Sequence, residues 1–230
     1  MAWRLVLAWG PVGVPFTVWC KAHFALVDAT RSARASLLGL ASALLAMAGS
    51  VLPAHAAMEP RIIDNSVSLT PRRPLLAHVR FCLLYDGQCD VYRDRRDPAM
   101  RVQDHWNEAQ RVNLAVNRSI RPKPDEGFDS WDINVTEGDC EDYALQKRAD
   151  LLALGWPSDH LRIAIVRTTE GVPHAVLLVR IGGVDYVLDN LTARVLPWNE
   201  TGHRFLMLQD RHDPRAWHTI DGMWRGAGSS

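Results

Sequence analysis

Two apolar segments in the second half of the chain are separated only by Gly182 and Gly183. Residues 174–181 and 184–190 are rich in Val, Leu and Ile and have the length of strands. Two glycines between such segments are typical of a two-residue β-hairpin turn, because glycine adopts the positive φ angles that this turn requires. A third strand, rich in Ile and Val, is predicted at residues 161–168. This part of the chain is therefore predicted to form a hairpin and a further strand.

The register of this hairpin brings two polar residues together. If the two glycines form the turn, Ile181 lies opposite Val184, and Val176 lies opposite Asp189. His174 points to the same face as Val176, because side chains alternate along a strand. His174 and Asp189 are then diagonal neighbours, with Cβ atoms roughly 7–8 Å apart or less. We therefore predict a hydrogen bond between them, whereas a slip of one residue would place them on opposite faces.

Two helices are predicted ahead of these strands. Residues 97–119 carry apolar side chains at helical spacing, and a proline-containing loop follows them. Residues 140–154 form the second predicted helix, which ends before Gly155 and Pro157. The remainder of the chain after Pro197 is polar with scattered tryptophans, and no strand is predicted there.

Cys140 is predicted to open the second helix. Unsatisfied backbone N–H groups and the dipole at a helix N-terminus favour a thiolate. A histidine can pair with that thiolate and later protonate the leaving group, and an aspartate can orient the imidazole. Cys140, His174 and Asp189 are therefore candidate catalytic residues for acyl transfer. Alternatively, the cysteine is a buried structural thiol, the histidine is structural, or the three residues form part of a zinc site.

Acidic residues on both sides of Cys140 oppose formation of a thiolate unless their charge is neutralised. Asp139 precedes the cysteine and Glu141 follows it. A bound cation would neutralise them, and hard carboxylate oxygens suit Ca²⁺. The alternative is a solvated acidic start of the helix, favoured by the helix dipole, which would also include Glu137 and Asp142.

The cysteine pattern indicates an oxidising compartment. Cys82 and Cys89 flank a predicted turn at Asp86 and Gly87, and in an exported protein such a pair indicates a disulfide. A metal site is the alternative, although no second Cys or His pair follows at zinc-site spacing. Cys140 is then the odd cysteine of the mature chain, which indicates reactivity.

The N-terminal region carries the pattern of an export signal. Arginines precede the apolar residues 36–48, and Ala-His-Ala at 54–56 resembles a cleavage site. We therefore assign residues 1–56 to an N-terminal extension plus signal peptide, with Cys20 removed, and expect a periplasmic protein. A membrane anchor or a buried helix is the alternative to a signal peptide, and a start assigned too far upstream would account for residues 1–30. Residues 57–80 are interpreted as a leader or an edge strand, residues 81–222 as a single domain, and residues 223–230 as a flexible tail.

The overall charge excludes one class of partner. The 230 residues contain 26 Lys and Arg and 26 Asp and Glu, so the formal net charge is zero. A neutral chain offers no electrostatic basis for nucleic acid as the main partner.

Several short motifs resemble one family. They are Gly-Asp-Cys-Glu-Asp-Tyr-Ala at 138–144, Leu-Gly-Trp at 154–156, Leu-Arg-Ile-Ala-Ile-Val at 161–166, His-Ala-Val-Leu at 174–177 and Val-Leu-Asp-Asn at 187–190. In sequence and order they resemble the bacterial transglutaminase-like cysteine peptidases, the periplasmic proteases of the LapG type.

This resemblance implies an α+β, papain/transglutaminase-like fold in which the catalytic cysteine opens a helix packed on an antiparallel sheet. It implies a triad of Cys140, His174 and Asp189, and calcium bound through Asp139 and Glu141. It also implies a protein substrate, such as a large surface adhesin whose cleavage releases biofilm cells, and an inner-membrane receptor for c-di-GMP as regulator. Transamidation or amidase chemistry, and a non-catalytic calcium-binding module, are the alternative functions.

Overall fold

The computed structural model describes residues 62–221. The predicted extension and signal peptide (1–56), Cys20 and the predicted tail (223–230) lie outside the described residues. Within the described part, no helix is long and apolar enough to span a bilayer. The strands and helices, in chain order, are β1 (Ser68–Arg72), α1 (Leu76–Leu84), α2 (Val102–Ser119), β2 (Arg121–Pro122), β3 (Glu137–Gly138), α3 (Cys140–Ala153), β4 (Leu161–Arg167), β5 (Pro173–Ile181), β6 (Val184–Leu188), β7 (Leu196–Pro197), β8 (Arg204–Gln209) and β9 (Trp217–Asp221).

Seven of the strands form one antiparallel sheet in the order β1-β9-β8-β4-β5-β6-β7. The hairpin of β5 and β6 has the predicted register, with Ile181 opposite Val184. Gly182 and Gly183 form its turn at φ values of 57° and 81°, angles that residues with a Cβ rarely adopt. The prediction of the hairpin and of its register is therefore confirmed.

The sheet is covered on both faces, which explains why β5 is buried along almost its whole length. On one face α2 and α3 pack over Ile163, Leu177 and Val179, among other residues. On the other face a second cluster contains Trp198 and Phe205, among other buried residues. Helices on an antiparallel sheet make this the predicted α+β, papain/transglutaminase-like fold.

The helices differ from the prediction at two places. Helix α2 begins at Val102 rather than at residue 97, because the backbone N–H of Arg101 bonds to the Asp104 carboxylate and caps the helix there. Helix α1 was not predicted at all. It ends before the turn at Gly87, whose φ is 76°, and the disulfide between Cys82 and Cys89 ties the helix to that turn.

No strand was predicted after Pro197, but this part of the chain forms the two strands β8 and β9. β8 lies beside β4 in the sheet, and β9 pairs with both β8 and β1. Residues 57–80 were interpreted as a leader or an edge strand, and β1 is the edge strand of the sheet. Pairing of β1 with β9 thus brings the two ends of the described chain together.

A buried ionic network fastens the start of the described chain to the sheet. The Asp185 carboxylate accepts two hydrogen bonds from Arg180, both 2.8 Å long, and one from the backbone N–H of Ile63 at 3.0 Å. Arg162 reaches the same carboxylate and also Asp64. Asp185 is 1% exposed, and these partners offset the cost of burying its carboxylate inside the protein.

Candidate active site

Helix α3 presents Cys140 at its first residue. Asp139 is the N-cap, and its own backbone N–H donates to the Asp142 carboxylate at 3.2 Å. The backbone N–H of Asp142, the third residue of the helix, donates to the Asp139 side chain, and the two bonds form a capping box. Gly138 precedes the cap, and a Cβ at this position would overlap the Asp142 carboxylate. The Gly-Asp-Cys sequence therefore has a local structural reason.

The Cys140 sulfur lies against the start of β5. The backbone N–H of Ala175 donates to Sγ at 3.3 Å, and Oε2 of Glu141 lies 3.1 Å from the same sulfur. Cys140 is 2% exposed. Because Ala175 follows His174 directly, this contact brings the helix N-terminus to the histidine.

Cys140 is disulfide-bonded in this structure. Cys140 was predicted to be the odd cysteine of the mature chain, after removal of residues 1–56, whereas this structure is of the full 230-residue chain.

His174 and Asp189 form the predicted pair. Nε2 of His174 lies 2.8 Å from Oδ1 of Asp189, and the backbone N–H of Leu191 donates to the same oxygen at 2.9 Å. Both side chains are about 3% exposed. Burial alone would raise the pKa of Asp189, but the charges and hydrogen bonds of His174 and His203 outweigh it and hold this pKa well below its usual value.

His203 also belongs to this cluster and was not predicted from the sequence. Its Nε2 lies 2.9 Å from Oδ2 of Asp189, so the carboxylate is held between two imidazoles. His203 lies just before β8, which was not predicted, so nothing local placed it near the hairpin. The side-chain amide of Asn117 also donates to the backbone carbonyl of Asp189 at 2.8 Å.

The acidic residues around Cys140 are buried rather than solvated. Asp139, Glu141 and Asp142 are between 1% and 4% exposed, so the alternative of a solvated acidic helix start is wrong for these three. Glu137 is the exception, since it is half-buried and pairs with Arg121.

A compact group of carboxylates adjoins the cysteine. One oxygen each of Asp125, Asp139 and Glu141 can be chosen so that all three lie within 4.8 Å of one another. Asp125, from the loop after β2, was not predicted. Burial, followed by the charges of Asp139 and Asp129, raises the pKa of Glu141 well above its usual value. Burial likewise raises the pKa of Asp139 to about 6.

This donor set fits a hard divalent cation. Oδ1 of Asp139 is buried and has no hydrogen-bond partner among residues 62–221, so one ligand oxygen is available. Carboxylate oxygens at this spacing are typical ligands of Ca²⁺. The set contains the two expected residues, Asp139 and Glu141, and adds Asp125.

A second group of potential ligands has a different explanation. His78 lies close to Cys82 and Cys89, but the two sulfurs are joined in a disulfide and are not thiolate ligands. Trp131 packs edge-on against His78 and Trp217.

One protein family matches most of the chain. A family model described as bacterial transglutaminase-like cysteine proteinase covers residues 68–224. No curated protein sequence matches.

Solved structures of a Legionella pneumophila protein, LapG, are similar to this chain. The calcium-bound form is 20% identical, with 66% of this chain and 91% of that chain covered and a TM-score of 0.42. A second LapG structure has the same identity and TM-score, with 66% and 90% covered. The EGTA-treated form is 22% identical, with 68% and 89% covered and a TM-score of 0.40.

Proposed function

The chain belongs to the bacterial transglutaminase-like cysteine proteinases, and we propose that it is a periplasmic endopeptidase that cleaves a protein substrate with Cys140 as nucleophile. One observation carries the proposal: the Cys140 sulfur at a helix N-terminus contacts the backbone N–H next to His174, and His174 is held by Asp189. The predicted export signal supports the compartment.

Two features favour the Cys140 thiolate. The N-terminus of α3 presents backbone N–H groups and the positive end of the helix dipole. The N–H of Ala175 donates directly to the sulfur. The reaction requires the free thiol of Cys140.

His174 has the role of general acid and base. Its Nε2 is engaged by Asp189, so Nδ1 is the nitrogen that exchanges a proton with the sulfur and with the leaving amine. The thiolate attacks the scissile carbonyl carbon, the C–N bond breaks, and the amine leaves with the proton from the imidazolium. Water, deprotonated by the imidazole, then hydrolyses the acyl-enzyme and restores the thiol. Asp189 keeps the imidazole oriented throughout.

Calcium is the proposed cofactor, held by Asp125, Asp139 and Glu141. The buried carboxylates repel one another and repel a thiolate 3.1 Å from Glu141. Bound Ca²⁺ would supply the positive charge that keeps these carboxylates ionised beside the nucleophile. The calcium-bound form of the similar LapG supports this choice of ion.

The substrate and the regulator are finer proposals. From the family resemblance we propose a large surface adhesin as substrate, with release of biofilm cells as the consequence. An inner-membrane c-di-GMP receptor is the proposed regulator.

The decisive experiment incubates the reduced mature protein with fragments of candidate adhesins and follows cleavage by mass spectrometry. Cys140→Ala and His174→Gln should each abolish cleavage while thermal unfolding stays cooperative. His212→Gln is the matched control, because His212 is exposed, and it should cleave at the wild-type rate. Cleavage retained by Cys140→Ala would overturn the proposal.

The calcium site has a separate test. EGTA should lower the melting temperature and the cleavage rate of the wild type, and Ca²⁺ should restore both. Glu141→Gln should lose most of this response, whereas the exposed Glu126→Gln should keep it. An unchanged melting temperature of the wild type across a calcium titration would contradict the assignment.

A further inference from the structure

We propose that His203 is a positioning residue, which fixes the Asp189 carboxylate in the orientation that it needs to hold the His174 imidazole. This inference rests on the proposed function, since it adds a fourth member to the same site. His203 orients Asp189, Asp189 orients His174, and His174 exchanges a proton with Cys140.

The argument begins with the two oxygens of Asp189. Oδ1 accepts from His174 at 2.8 Å and from the backbone N–H of Leu191 at 2.9 Å. Oδ2 lies 2.9 Å from Nε2 of His203. A carboxylate held only through Oδ1 could still turn about its Cβ–Cγ bond, and the bond to Oδ2 removes that freedom. The lone pair that meets His174 therefore has a fixed direction.

The tautomer of His203 follows from its partner. An ionised carboxylate only accepts hydrogen bonds, and the pKa of Asp189 is held well below its usual value despite burial. Nε2 of His203 must therefore carry the proton in this bond. The other ring nitrogen, Nδ1, is buried with no hydrogen-bond partner among the described residues.

This arrangement is costly for a residue with a purely structural role. A buried ring nitrogen without a partner destabilises the fold, and an apolar side chain would fill the same space without that cost. The backbone is nevertheless fixed, because the N–H of His203 donates to the Thr201 hydroxyl at 3.1 Å. The N–H donor to Asp189 is what a histidine contributes at this position.

A neighbouring cavity makes the inference testable by chemical rescue. It has a volume of about 240 Å³, and its lining includes Asp189, His203, Thr168, Thr169 and Thr201. Removal of the imidazole of His203 would enlarge this space toward Oδ2 of Asp189. Imidazole added to the solution can therefore reach the position of the lost side chain.

The experiment compares His203→Ala and His203→Gln with the wild type, with Thr169→Ala as the control from the same cavity. Loss of one hydrogen bond to a charged group should lower the kcat of His203→Ala by about 10- to 100-fold, with KM nearly unchanged. His203→Gln, which keeps an N–H donor of similar reach, should retain most of the kcat. Added imidazole should restore part of the kcat of His203→Ala and leave Thr169→Ala unaffected.

Three results would overturn the inference. They are wild-type kcat in His203→Ala, equal loss in the Ala and Gln variants, and no rescue of folded His203→Ala by imidazole. These are distinguishable from failure of the proposed function, which shows as cleavage that survives Cys140→Ala. Loss of cleavage in Cys140→Ala together with full activity in His203→Ala would contradict the role of His203 and leave the proposed function intact.

Discussion

The buried imidazole of His78 provides a quantitative test of how its surroundings lower a histidine pKa. It is 1% exposed, and its two ring nitrogens lie 3.1 Å from Nε1 of Trp217 and 2.9 Å from Nε2 of Gln209. Both neighbours are N–H donors, so a protonated imidazole, which cannot accept, would face two of them. Burial, and then the charges of Arg148 and Arg215, lower the pKa of His78 to about 4.

The pKa of His78 determines the sign and size of an effect on stability. The folded pKa lies below the unfolded value of 6.5, so the unfolded chain takes up the proton first as the pH falls. The stability linked to neutral His78 is therefore fully present above pH 6.5 and is lost as the pH falls toward 4. At about 1.4 kcal/mol per pH unit, the loss amounts to about 3 kcal/mol, a large part of a typical total of about 5–15 kcal/mol.

The assay is urea unfolding of the wild type and His78→Gln between pH 7 and pH 4. Other titrating groups affect both proteins alike, so the informative quantity is the difference between their free energies of unfolding. This difference should shrink by about 3 kcal/mol as the pH is lowered. His212→Gln, at an exposed site, should show a difference that does not vary with pH. A constant difference for His78→Gln, or an imidazole pKa near 6.5 by NMR, would refute the reasoning.

Three further substitutions test the fold and the helix start. Gly138→Ala should displace the Asp142 carboxylate from the cap of α3 and cost about 1–3 kcal/mol, seen as a lower melting temperature together with lost cleavage; a wild-type melting temperature would contradict this. Replacing Cys82 and Cys89 by serine opens a loop with a sequence separation of 7 and should cost about 2 kcal/mol in denaturant unfolding, with activity retained once the protein is folded. Asp185→Asn removes one of the two carboxylates that pair with the buried Arg162 and Arg180, the other being Asp64, and should cost about 3 kcal/mol in the same assay; a cost near zero would show that the network is dispensable.

Local patterns predicted the parts of the fold that depend on neighbours in the chain. The Gly182–Gly183 turn sets the register of β5 and β6, and the register alone was enough to pair His174 with Asp189. The start of α3 at Cys140 was likewise readable from its sequence. In each case the interacting residues are joined by a short segment with one preferred conformation.

Pairings across long separations were not predictable in this way. Strand β9 is placed by β1, and the bond from the Thr219 hydroxyl to the Thr70 carbonyl joins residues 149 positions apart. His203 reaches Asp189 only because β8 takes its place beside β4. The available signal was a histidine two residues ahead of the apolar run Phe205–Leu208, and it says nothing about which residue the imidazole contacts.

The acidic start of α3 shows how burial changes the meaning of a sequence pattern. By sequence, a solvated acidic helix start was the more common explanation of residues such as Asp139 and Glu141. Burial removes that possibility, and Asp125, brought in from a distant loop, adds a third carboxylate to the group. Ionised carboxylates and a thiolate cannot all remain charged in so small and dry a space without a counter-charge. In the proposed enzyme the cation site and the nucleophile are therefore one electrostatic unit. A substitution that weakens calcium binding should accordingly reduce the reactivity of Cys140 even where the helix start keeps its structure.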